Sequence, residues 1–109
     1  MTQAMFTVTL AAATLAAMAA RTKAQDITAG HAFAREACNA CHVVEFEQRA
    51  FRRFVIGPAF REIANTPGMT ATALQVFLTS SHPKMPNLTL TPEEKVDVVA
   101  YILSLRDQH

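Results

Sequence analysis

Cysteine is scarce in this chain and confined to one place. Its two cysteines, Cys38 and Cys41, both lie in Cys38-Asn39-Ala40-Cys41-His42. No disulfide framework can therefore staple the rest of the chain, and no second cysteine pair exists to complete a zinc site. Charge of one sign is lacking too: Lys and Arg number 10, Asp and Glu 9, for a net charge of +1. A nucleic-acid binder with a strongly basic face is excluded by that balance. The longest apolar run, the sixteen residues Met5 to Ala20, falls short of the ~20 apolar residues that a membrane-spanning helix needs. Internal repeats, a glycine-rich phosphate loop and a Ser-His-Asp arrangement are also missing.

One apolar run does exist. Met5 to Ala20 carries no charged side chain, and Arg21 is the first basic residue. Its length suits the apolar core of a secretory signal peptide, although the usual basic residues ahead of it are missing. Thr22-Lys23-Ala24 offers a small-residue cleavage site, which makes 1–24 a signal peptide and 25–109 the working domain. A short uncleaved anchor is the competing reading. Cleavage after Ala24 removes Arg21 and Lys23 and turns the net charge to −1. A domain this small is marginal by burial alone and benefits from a covalent staple.

The pentapeptide supplies a reason for one. Two thiols two residues apart, followed at once by an imidazole, form the spacing of covalent haem c attachment. Each thiol can add to one vinyl group, and the next residue can then bring an imidazole nitrogen to the iron. A redox dithiol, a local disulfide and half a zinc site are the other readings of Cys-x-x-Cys. The dithiol reading calls for a strand before the motif, and the sequence there reads as a helix.

Four helices are expected, with room for one more short turn. Ile27 to Ala37 has Ala29, Phe33 and Ala37 at helical spacing, with Asp26 or Thr28 able to cap it. Gly30 lowers its propensity, as suits a close backbone approach. Val43 to Ile56 reads as a loop whose Phe46, Phe51 and Phe54 cover a haem edge. Its Arg49, Arg52 and Arg53 form a solvated run, one of which can pair with a propionate. Gly57-Pro58 breaks the chain, and a short helix over Pro58 to Asn65 ends at Thr66-Pro67-Gly68. Thr70 or Thr72 starts the next helix, with Ala73, Leu74, Phe77 and Leu78 on a narrow apolar face. Thr91-Pro92-Glu93-Glu94 is a capping box with proline at the first helical position. The helix it opens carries Val96, Val99, Ala100 and Leu103, widened by Val98, Ile102 and Leu105. Tyr101 lies within that face and calls for a hydrogen-bond partner.

Between the last two helices lies His82-Pro83-Lys84-Met85-Pro86. The two prolines predict a stiff, extended loop. Held there, the Met85 thioether can ligate iron opposite His42. His82 is the rival ligand, and the His/Met pattern of cytochromes c favours Met85. Met69, which fits the start of a helix, carries little weight.

The order of these pieces resembles a small bacterial monohaem class I cytochrome c over nearly all of residues 27 to 106. The resemblance implies an all-α, cytochrome c-like fold of four to five short helices wrapped around one covalent haem. It implies thioether bonds at Cys38 and Cys41, His42 and Met85 as iron ligands, and the Pro58 carbonyl as acceptor for the His42 ring N–H. Gly30 and Tyr101 would mark the crossing of the first and last helices. The family often has an aromatic four residues before the first cysteine. Ala34 stands there, beside Phe33, so the crossing is expected to pack differently. The implied function is a non-enzymatic single-electron carrier in the periplasm or tethered to the membrane. It would be a monomer working between redox donor and acceptor proteins, one of which can be membrane-associated, or a haem subunit of a larger complex. A haem protein binding a gas or peroxide at an open or displaceable distal site is the alternative.

Overall fold

Capping places the helices. In the computed structural model, which describes residues 25–45, 56–80 and 82–107, Asp26 caps α1 (Ile27–Ala37) by accepting the Ala29 N–H at 2.9 Å. Thr70 caps α3 (Ala71–Thr79) through the Ala73 N–H. Thr91 and Glu94 exchange both bonds of a capping box at the start of α4 (Pro92–Ser104), with Pro92 inside the first turn. The short α2 (Phe60–Ala64) starts two residues later than the sequence suggests. Glu62 accepts the Ala59 N–H there, and the alanine has no side-chain oxygen to return the bond. The architecture is all-α: the described residues hold four helices and no strand, only an isolated bridge between His82 and Met85. None of the described helices is long and apolar enough to cross a membrane.

The core is the crossing of α1 and α4. A Cβ added at Gly30 would collide with the Asp97 carbonyl, so the two backbones meet there. Ala34, one turn on, is fully buried, as are Val98 and Val99 opposite. A small residue thus serves the crossing where the family often has an aromatic, and Phe33 packs beside the core. The His31 ring lies on Tyr101 with centroids 4.7 Å apart. The Tyr101 hydroxyl donates to the Val44 carbonyl at 2.6 Å, the partner its burial demands.

The segment between Pro83 and Pro86 differs from expectation. It is a tight turn closed by the His82–Met85 bridge, with Pro83 and Lys84 at its centre. Proline's fixed φ suits the second position of a β-turn as well as an extended chain. The loop aromatics Phe46, Phe51 and Phe54 and the arginines Arg49, Arg52 and Arg53 lie outside the described residues, as does the N-terminal apolar run.

Candidate functional site

The end of α1 delivers the pentapeptide. Cys38 caps the helix through its N–H to Ala34 O, and the N–H groups of Cys41 and His42 both turn back to Cys38 O. Cys38, Cys41 and His42 therefore share one turn of chain, each half-buried. Burial pushes the free Cys38 thiol up to about 11.

Each residue that follows is tied down by a different element. Gly57 N–H donates to Cys41 O at 2.8 Å, Phe60 N–H to Val43 O at 2.9 Å, and Tyr101 to Val44 O. Glu45 accepts from His31 Nε2 at 2.6 Å and from Arg35 Nε at 3.3 Å, both on α1.

His42 is oriented by three contacts. Its Nδ1 lies 2.7 Å from the Pro58 carbonyl oxygen. A carbonyl only accepts, so Nδ1 carries the proton and Nε2 the ring's lone pair. The Phe60 ring packs on it at 5.5 Å. Gly57 passes so close that an added Cβ would lie 2.5 Å from the ring carbon Cε1. Pro58, picked out in the sequence, is thus in contact with His42.

His42 opens onto a cavity of about 540 Å³ lined by Cys41 and, among others, Ile63, Leu74, Phe77 and Met85. Cys38 lines a smaller apolar pocket that shares His42, Phe77 and Met85 with it. The volume falls in the ~300–1,000 Å³ range of cofactor sites. The residues fit an apolar macrocycle bonded through Cys38 and Cys41, with an imidazole fixed in tautomer and a thioether on the same cavity. Lining alone does not single out Met85, because Met69 and His82 line the cavity too. Their other contacts separate them. Met69 packs on the core, and its carbonyl accepts from Arg106. The ring nitrogen Nε2 of His82 donates to the Phe77 carbonyl at 2.7 Å, and the ring stacks on Phe77 at 3.7 Å. His82 thus makes the backbone bond expected of a loop histidine. No cluster of three or more His, Cys, Asp or Glu able to hold a bare metal ion occurs among the described residues.

Sequence reasoning missed four contributors. Phe60 stands in the sequence as one apolar position of a short helix, yet it bridges His42 to Tyr101, its ring 6.4 Å from the tyrosine's. His31 and Glu45 gave no local signal, because they meet only once α1 and the segment after His42 are folded together. Phe77 belongs in the sequence to the narrow apolar face of its helix. It is 54% exposed and serves the cavity.

Comparison with known proteins gives the family. Cytochrome c-552 of Bradyrhizobium diazoefficiens is 37% identical over 94 residues, which is 84% of this chain and 88% of that protein. No protein-family model matches the chain, and no solved structure does. A relative this similar over so much of both chains shows the family, and with it the cofactor. The chain belongs to the small bacterial cytochromes c, electron-transfer proteins that carry covalently bound haem c.

Proposed function

We propose that this protein is a periplasmic single-electron carrier whose haem is bonded at Cys38 and Cys41 and ligated by His42 and Met85. The observation that carries the reading is the fixed imidazole. The Pro58 carbonyl holds the Nδ1 proton, which leaves Nε2 as donor toward the cavity that Met85 also lines. When bound, haem c supplies a one-electron iron couple. The chain's part is to keep both ligands in place, so that a change of oxidation state needs little rearrangement. The Pro83–Lys84 turn and its bridge hold Met85, and the Gly57-Pro58 backbone holds His42. A thioether ligand and an apolar pocket both favour the reduced state and raise the potential. With two strong ligands there is no open position for a substrate, which favours a carrier over an enzyme or a gas binder.

Export follows from the chemistry of the N-terminal segment. The Met5–Ala20 run followed by Thr22-Lys23-Ala24 supports removal of 1–24 and release of the 25–109 domain into the periplasm. There it works as a monomer between donor and acceptor redox proteins, which can include a membrane-associated one.

Absorption spectra of periplasmic protein test the ligand set. Wild type should be low-spin in both oxidation states. Met85→Ala should lose the features of thioether ligation and bind added imidazole, while His82→Ala should match wild type. A Met85→Ala spectrum identical to wild type would sink the assignment.

A further inference from the structure

Asp97 is a buried carboxylate that the electron-carrier reading does not use. It lies on α4 at the crossing with α1 and is 9% exposed. Its Oδ1 accepts the backbone N–H of Asp26 at 2.9 Å. A charge buried to this degree is ordinarily paired, because desolvation is costly. The cations of the two crossing helices are engaged elsewhere. Arg35 and His31 are on Glu45. Lys95 reaches the Thr79 hydroxyl at 3.1 Å. Arg106, just past α4, donates to the carbonyls of Ala64 and Met69. Among the described residues no cation pairs with Asp97.

We propose that Asp97 is the receptor for the α-ammonium group of Gln25, so that the domain binds its own processed N-terminus. This rests on the reading that cleavage follows Ala24. Before cleavage the Gln25 nitrogen is a neutral peptide amide. Afterwards it is a cation one residue's backbone from the N–H already bound by Asp97. Gln25 is exposed. A lone cation at this place would be disfavoured, because α1 presents its positive end here. Two carboxylates reverse the local sign: Asp97 from α4, and the Asp26 cap itself. Glu93, one turn earlier on α4, puts a third carboxylate on the same helix face as Asp97. The crossing at Gly30 fixes the two helices, and so fixes the distance between receptor and terminus.

The test uses the exported, haem-loaded protein. Intact mass first gives the terminus. The acylation rate of the α-amine, followed by mass spectrometry against pH, then gives its pKa. A pairing carboxylate should raise that pKa about one unit above the ordinary ~7.7–8.0. Acylation at pH 7 should therefore be about tenfold slower in wild type than in Asp97→Asn. The amide keeps an oxygen for the Asp26 N–H, so the substitution removes the charge and leaves the helix tie. A second protein, processed so that it begins at Ala24, moves the ammonium one residue away with no change at Asp97. It too should acylate about tenfold faster than the Gln25 form. Equal rates in all three overturn the receptor and leave the cleavage reading intact. A natural terminus other than Gln25 overturns both.

Discussion

The two halves of this small domain are built to different ends. Where α1 crosses α4, the chain packs against itself: Ala34, Val98, Val99 and Ile102 are each 3% exposed or less. Along α3, the turn after it and the segment before Gly57-Pro58, large apolar side chains line a cavity, and Phe77 on α3 and Ile56 beside Gly57 are 54% and 76% exposed. The pentapeptide lies between the halves, and Phe60 joins them by touching both His42 and Tyr101. Stability is thus concentrated at the crossing and chemistry at the cavity. A substitution should show its effect in stability or in the haem spectrum according to the half it strikes.

The largest effect should come from the residues between the halves. Replacing both Cys38 and Cys41 by serine should abolish covalent attachment. Denatured wild type should keep its haem, with the mass of apoprotein plus one haem, and the double variant should release it entirely. Haem that stays bonded in the double variant would contradict the site.

Two glycines sharpen the comparison, because each marks a close approach in a different half. Gly30→Ala places a methyl group against the Asp97 carbonyl and the Val98 nitrogen, which are backbone and cannot give way. It should cost about 3 kcal/mol, at the upper end for overpacking. The denaturation midpoint should fall with the visible spectrum unchanged. Gly57→Ala instead meets the His42 ring, and that ring can tilt. It should cost less stability and shift the haem bands and the potential. Both variants losing stability with neither altering the spectrum would erase the distinction.

How much of this was legible in the sequence follows the same division. The pentapeptide and the Thr91-Pro92-Glu94 cap are local, and a few neighbouring residues settle them. Gly57-Pro58 and Met85 were legible through the order of pieces in a known family, more than through their own chemistry. What escaped depends on partners far along the chain. Asp97 falls on the apolar face of α4, and only the N-terminus of α1 explains its burial. Phe77 shares its stripe with Leu74, which is buried, but one helix face here serves both the core and the cavity. The turn at Pro83 is not distinguishable from a stiff, extended loop in the sequence, because proline's φ is common to both.

Tyr101 probes the joint more gently. Tyr101→Phe keeps the ring against His31 and Phe60 and removes the donor to the Val44 carbonyl. A buried acceptor left without its donor costs about 1–3 kcal/mol. The loss should appear in the denaturation midpoint. The spectrum should stay as in wild type, because the bond lies on the crossing side of Phe60. A spectral change would mean that the joint transmits strain from the crossing to His42, and the two halves would not be separable.

The smallest effect is expected at the surface of the cavity half. Lys84 is exposed at the cavity, beside Met85. Electrons enter and leave a buried porphyrin most readily at its accessible edge, so charges near that edge should bias docking. The 25–109 domain is close to neutral, so net charge gives little long-range steering. What steering there is must come from local groups. A rim charge acts chiefly on association rate and salt dependence. Lys84→Glu should therefore slow electron transfer to an acidic redox partner at low ionic strength. The difference should fade as salt shortens the screening length toward ~8 Å at physiological strength. Stability and spectrum should not move, because the side chain supports neither the crossing nor a ligand. Stopped-flow rates that match wild type at every ionic strength would instead point to docking on the exposed apolar surface of Pro83 and Pro86. The cavity half would then meet its partner with the same kind of surface it turns toward its cofactor.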